Sequence, residues 1–226
     1  SFGHALFFGI GGYMLGSMLQ FTDLGVNEAM ILGILGGLIL SGIASFVMGL
    51  VSLRLRGVYF AVFTLAVAEA VFIYFTRYRP TGAEDGFTFS EMPTFIEPTR
   101  NPLNFYYLSL ILCVLVFLFI RRLIYSPTGA IMLAIRENEE RAKSIGYHTL
   151  RYKLFAITVA GMIASLAGML HVVLNSKRVG PEVLGVNFTV EPLLMTIIGG
   201  VGTFLGPVIG AAGLRISEST LRDLVI

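Results

Sequence analysis

The sequence predicts an all-α fold, a polytopic bundle of membrane-spanning helices, and three observations carry that prediction. Charged residues occupy only 13% of the 226 positions, while 55% are apolar and the mean hydropathy is +0.81. Soluble domains carry about 25% charge, because a wetted surface needs it. The apolar residues fall in six runs near the length of about 20 that a hydrocarbon core of about 30 Å requires. Basic residues gather between particular runs instead of spreading along the chain. The same composition excludes a disordered chain, collagen, a coiled coil and a disulfide-stapled domain. Cys113 is the single cysteine, so no internal disulfide forms, and its apolar run predicts a small buried thiol. A net charge of +2 points to no nucleic-acid partner.

The first run, Phe2–Leu19, is rich in glycine and opens without an initiator Met or a basic leader. The expectation is one transmembrane domain over residues 1–226, with at least one further span upstream. Ala29–Leu53 is long and clean, and Val58–Phe75 carries one carboxylate, Glu69. Phe105–Ile120 is the fourth run, and Leu154–Leu174 is the fifth, with His171 near its end. The sixth, Pro192–Leu214, is interrupted by Gly199, Gly200, Gly202, Gly206 and Pro207. So much Gly and Pro suits one straight helix poorly. Two readings stand: a broken or re-entrant turn beside a pathway, or a tightly packed, kinked span. Gly12/Gly16, Gly33/Gly37, Gly161/Ser165, Ala164/Gly168 and Gly206/Gly210 are small-xxx-small pairs that let helix backbones approach.

Charge sets the expected orientation. Arg121, Arg122, Arg136, Arg141, Lys143, Arg151 and Lys153 lie between the fourth and fifth runs. Placing them in the cytoplasm brings Arg54, Arg56, Arg215 and Arg222 inside too. Eleven basic residues then face five outside: Arg77, Arg79, Arg100, Lys177 and Arg178. The chain is thus read as six spans starting inside, with residues 76–102 as an external loop.

The internal segment 126–149 is polar and patterned. Ser126-Pro127 reads as a helix start. Ile131, Ile135, Ala142 and Ile145 share a stripe that Asn138 interrupts. Glu137/Arg141 and Glu139/Lys143 are i,i+4 pairs worth roughly 0.2–0.5 kcal/mol each. Gly146 is placed to end the helix in the left-handed region, and Thr149 to cap the next one. Such a helix either rests on anionic lipid or presents a rigid docking surface.

No residue set looks catalytic. Lys143, Lys153 and Lys177 follow no glycine, so there is no Walker-type loop, and the Gly200–Gly206 pattern lacks its strand–turn–helix context. His4, His148 and His171 are scattered without metal-ligand spacing. Glu69 is either a polar wall of a pathway or a carboxyl group bonded to a neighbouring helix. His4 has the same two readings. Glu191 is placed to cap the sixth run. Glu84 and Asp85, between Gly82 and Gly86, form an acidic turn that is either simply solvated or a salt-sensitive docking contact. Arg54 and Arg56 mark the cytoplasmic interface.

Five blocks carry a resemblance. Ala134–Gly146 resembles the A-x-R-E-[DN]-E-x-A-A-x-x-x-G stretch of branched-chain amino-acid ABC transporter permeases, departing from it at Arg141. Ser1–Tyr13 is similar to that family's S-L-G-H-A-A-F-F-G-I-G-A-Y. Arg54–Ala61 and Thr81–Gly86 match as well, the latter with Ala83 where the family usually has Gly. Val190–Met195, followed by Gly199–Thr203 and Gly206-Pro207, completes the set. The chain is most similar to the LivM-like half of the permease pair, with urea permeases as near relatives.

That resemblance implies a multi-pass subunit of a bacterial or archaeal cytoplasmic membrane, importing branched-chain or other small apolar amino acids. It implies a homologous second permease, two cytoplasmic ATPases holding ATP and Mg, an extracytoplasmic solute-binding protein, and no cofactor in this chain. Ala134, Arg136, Glu137, Asn138, Glu139, Arg141, Ala142 and Gly146 become the helix that seats in an ATPase. His4, Glu69, Gly199, Gly200, Gly202 and Pro207 become pathway candidates, and Glu84 and Asp85 candidates for binding-protein docking. A urea or amide permease, an ion-driven secondary transporter using Glu69, and a scaffold without transport are the competing functions.

Overall fold

The computed structural model describes residues 2–89, 91–175 and 177–225, with side chains through residue 220. Ser1 of the first family block, the chain end at Ile226 and the side chain of Arg222 lie outside the described residues. The helices run α1 (His4–Phe21), α2 (Val26–Ser52), α3 (Val58–Arg77), α4 (Pro102–Ile124), α5 (Pro127–Glu137), α6 (Glu139–Ser144), α7 (Thr149–Leu174), α8 (Asn187–Gly199) and α9 (Gly206–Val225). Two short strands, β1 (Phe87–Thr88) and β2 (Arg178–Val179), pair antiparallel with Phe87 opposite Val179. Among the described residues, α2, α3, α4 and α7 are long and apolar enough to cross a membrane. The molecule is an all-α, multi-pass membrane protein.

Three helices make the core. α1 packs against both α2 and α7, which also pack on each other. Small residues set these distances: a Cβ at Gly11 would strike the Ser165 carbonyl, and one at Gly168 would strike that of Phe8. Between α2 and α7, Ser41 Oγ donates to the Gly161 carbonyl at 2.8 Å and Ser165 Oγ to the Gly37 carbonyl at 3.2 Å. Such interhelical bonds contribute roughly 0.6–2 kcal/mol each in a bilayer. Apart from Gln20 and Phe21 at its end, α1 is largely covered by protein, so it needs little lipid-facing bulk and contains four glycines and a histidine. α3 and α4 are thinly covered, and Cys113 on α4 is exposed, not buried. Its apolar surroundings in sequence reflect a lipid- or partner-facing helix, not a core.

The sixth expected span is not continuous. α8 ends at Gly199, the chain turns through residues 200–205, and α9 runs back alongside α8. Gly199 abuts the Gly206 carbonyl, Gly210 abuts the Met195 carbonyl, and Arg215 meets Glu191. Paired positions converging on one turn define an antiparallel helical hairpin. Gly200 (φ +105°) and Gly202 (φ +88°) make the reversal in backbone conformations that side chains disfavour. Arg215 therefore comes back beside Glu191, about 15 Å along α9 from the turn that meets Arg136, and leaves the group with α5 and α6 expected for it. Glu191 lies one turn inside α8, which begins at Asn187, so it pairs across the hairpin and does not cap the helix.

The segment 126–149 is broken as well. Asn138 (φ −155°, ψ 100°) ends α5, and its side chain accepts the Arg141 N–H to cap α6. Glu137 and Arg141 straddle this break, and no ion pair joins them among the described residues. Glu139 and Lys143 do pair, at 3.4 Å. Ser126 caps α5 through the Gly129 N–H, and Gly146 is left-handed (φ +97°). Thr149 does not cap α7; His148 stands at that position, and the Thr149 hydroxyl donates to Glu139 instead.

A candidate translocation cavity and its coupling segment

A cavity of about 930 Å³ lies between α1, α4, α7 and the α8–α9 hairpin. On α7 its wall follows helical spacing through Ala160, Ala164, Ala167 and His171. The three alanines lack the bulk to fill the space toward α4. His4 and Phe8 of α1 and Phe188 to Thr196 of α8 supply the facing wall. Phe8 stacks on Phe188 at 4.9 Å between centroids, and His171 meets Phe188 edge-on at 4.9 Å. One ion pair, Arg215 to Glu191 at 2.8 Å, borders the same space.

The start of α1 lies within the bundle, where unpaired backbone groups would be costly. Thr189 Oγ1 accepts the Ala5 N–H at 2.9 Å and donates to the Phe2 carbonyl at 3.2 Å. Thr64 Oγ1 accepts the Phe2 N–H at 3.1 Å. Sequence reasoning missed both threonines, because an isolated Thr in an apolar run carries no signal until its partner is known.

The pathway candidates separate. His4 lines the cavity. Glu69 lies on α3, away from the cavity lining, and no hydrogen bond or ion pair joins it to another described residue. Of its two readings, the bond to a neighbouring helix is not formed among the described residues, where α3 has little of this chain beside it. Gly199, Gly200, Gly202 and Pro207 build the hairpin and its turn; they do not line the space. Among the described residues no three His, Cys, Asp or Glu side chains converge as a metal cluster.

In the segment 126–149 Ile135 and Ala142 face inward, while Ala134, Arg136, Glu137, Asn138, Arg141 and Gly146 are exposed. Leu133, Ile145 and Tyr147 add exposed apolar surface. Glu139 instead ties α6 to α7. It accepts from Lys153 Nζ at 2.5 Å and from Thr149 Oγ1 at 3.1 Å. The Lys153 hydrogen bond is the main cause holding the Glu139 carboxyl at about 2. Arg136 reaches the hairpin turn: a Cβ at Gly202 would lie 3.0 Å from its Nη2. Segment and hairpin are thus in contact.

At the opposite end, Glu84 and Asp85 form an exposed 3-10 turn. Arg178 Nη2 donates to the Asp85 carbonyl at 3.2 Å, so the carboxylates are presented from a pinned backbone. Glu97 is buried and pairs with Lys177 at 2.6 Å and Arg100 at 3.2 Å. The Lys177 bond is the main cause holding its carboxyl below the usual range.

A glycine-packed helical bundle with a hollow bounded by a reversing hairpin defines a multi-pass, all-α membrane protein. A family model described as "Branched-chain amino acid transport system / permease component" matches residues 1–226, and the chain belongs to that family. It is 28% identical over 216 residues to the probable branched-chain amino acid transport permease protein LivM of Methanocaldococcus jannaschii, covering 91% of this chain and 63% of that one. It is 28% identical to the high-affinity branched-chain amino acid transport system permease protein LivM of Salmonella typhimurium, and 27% to that of Escherichia coli. Each of these alignments covers 98% of this chain and 57% of the relative. The chain therefore spans about three fifths of the length of these relatives. No solved structure matches it.

Proposed function

We propose that this chain is the permease subunit of an ATP-driven ABC importer for branched-chain or other small apolar amino acids in a prokaryotic cytoplasmic membrane. It works with a homologous second permease, two cytoplasmic ATPases that hold ATP and Mg, and an extracytoplasmic solute-binding protein. The observation that carries this reading is the α5–α6 segment. It is capped at Ser126 and Asn138, tied to α7 through Glu139, and touches the hairpin turn through Arg136. A rigid surface element joined to a cavity-lining hairpin has what is needed to pass on a push.

In this reading Leu133, Ile145 and the exposed charges around Arg141 meet the ATPase. Movement of α6 reaches α7 through Glu139–Lys153, and movement of α5 reaches the hairpin through Arg136. The cavity forms this subunit's side of the path, and Glu84 and Asp85 meet basic residues of the binding protein.

The test is uptake of labelled leucine and labelled urea in cells carrying the intact system, with and without this subunit, under ATP depletion. Leucine uptake that needs both subunit and ATP is expected. Dependence of urea alone would move the substrate to the neighbouring family. Uptake that ignores ATP and collapses with the proton gradient would overturn the importer reading and favour an ion-driven carrier.

A further inference from the structure

Glu191 and Arg215 stand 24 positions apart in sequence, flanking a run whose hydropathy reads as one span. The hairpin turn brings them together, Arg215 Nη2 to Glu191 Oε1 at 2.8 Å, at the wall of the cavity. Arg215 Nη1 also donates to Glu218 Oε2 at 3.0 Å. The two side chains remain 64% and 45% exposed, so this is not a sealed pair. Among the described lining residues these are the Asp, Glu, Lys or Arg side chains; Ile163, Leu170, Leu193 and Met195 make nearby wall apolar. Ser109 Oγ lines the same space, buried and without a hydrogen-bond partner.

We propose that the Glu191–Arg215 pair is the cavity's binding site for a free α-amino acid: Arg215 takes its carboxylate, Glu191 its ammonium group, and the apolar wall its side chain. The proposal rests on the amino-acid importer reading and adds the residues that recognise the substrate. Charged groups at membrane depth face protein or water-filled cavities, and they mark substrate paths. Beside an apolar wall, removing one partner of an ion pair leaves the other charge uncompensated. A zwitterion avoids that penalty. Its carboxylate replaces Glu191 on the guanidinium, whose fork suits two parallel hydrogen bonds, and its ammonium replaces Arg215 on the carboxylate. Every charge keeps a partner before and after binding. A neutral solute offers no such exchange; a lone anion on Arg215 leaves Glu191 unpaired, and a lone cation on Glu191 leaves the guanidinium with Glu218 but fills only half of the site. The volume of about 930 Å³ is within the range of small-molecule sites.

The test uses the full-length chain in the complete transporter, reconstituted in proteoliposomes. It reads ATP-dependent leucine uptake and, without the binding protein, light-driven crosslinking of diazirine-bearing photo-leucine to peptides covering 160–174 and 187–199. Arg215→Gln and Glu191→Gln are each expected to lower both readouts at least tenfold. The double exchange Glu191→Arg with Arg215→Glu re-forms an ion pair but presents it reversed, and it is expected to restore neither. Restoration of both would make the pair a mere staple and overturn the proposal. A measurement on the unmodified protein stands beside the variants. Excess leucine should block crosslinking, while leucinamide and 4-methylpentanoate, each missing one charge, should not. Equal protection by either analogue overturns the site. Normal ATP-dependent uptake by both single variants would sink it too and leave the importer reading standing. Wild-type vesicles without ATP-dependent leucine uptake would overturn both.

Discussion

The Glu139 carboxylate meets Lys153, Thr149 and Lys143, and its titration links local geometry to stability. Its folded value of about 2 lies below the ordinary 4.5. The pair therefore stabilises the fold fully above about pH 4.5, and the contribution is lost as pH falls from there toward 2. With the side chain about one-third exposed, solvent screening leaves about 1–2 kcal/mol. Glu139→Gln should thus unfold at lower temperature than wild type at pH 7, with the gap closing below pH 4.5. Thermal unfolding in detergent across that range measures it. Glycines offer a second contrast. Gly11→Ala places a methyl group against the Ser165 carbonyl and should cost about 1–3 kcal/mol. Gly213→Ala, on the exposed part of α9 with open space around it, should be neutral or stabilise by up to about 1 kcal/mol. If both alanines behave alike in the same unfolding assay, packing is not what Gly11 serves.

Whole elements add a mechanical consequence. α6 has only six residues, so it has little stability of its own and depends on Asn138 and Glu139 to stay placed. Glu139→Arg puts a second cation against Lys153 and should detach α6 from α7 without preventing membrane insertion. In the reconstituted transporter, leucine moved per ATP hydrolysed should fall severalfold. Pairing Glu139→Lys with Lys153→Glu should recover most of it. Unchanged stoichiometry in Glu139→Arg would remove α6–α7 contact from the coupling route. The segment's existence and its ends were legible from Ser126-Pro127 and Gly146, because cap chemistry is local. Its break was not, since Asn138 reads equally as a poor stripe residue or a cap until the backbone is seen. The α1–α2–α7 core was foreshadowed by small-xxx-small spacing. The break at Gly199–Pro207 was legible as one of two readings, since so much Gly and Pro suits no straight helix; the reversal was not, because residues 192–214 have the length and hydropathy of a single span. Only positive φ at Gly200 and Gly202, a backbone property, separates a reversal from a kink. Glu191 and Arg215 were placed on opposite sides for the same reason, so the pair bordering the cavity went unseen.

For the molecule as a whole, the hairpin changes which side its last helix returns to. A continuous sixth span would carry Ser219 to the side of Arg141. The observed hairpin turns beside Arg136 and Phe117, whose ring lies 4.4 Å from that of Phe204. It then sends α9 back for 20 residues, about 30 Å, toward the end that holds Glu84. The exposed serines and Glu218 in the last turns of α9 suit water, not hydrocarbon, which agrees with emergence at that end. Three single-cysteine proteins in a Cys113→Ser background distinguish the two topologies: Glu84→Cys, Arg141→Cys and Ser219→Cys. A membrane-impermeant maleimide added to intact cells should label the first and third and spare the second, with all three labelled after permeabilisation. Labelling of Ser219→Cys only together with Arg141→Cys would restore the continuous span and return Arg215 to the cytoplasmic side. Glu191 and Arg215 would then be separated by the membrane, and the ion pair across the hairpin could not form.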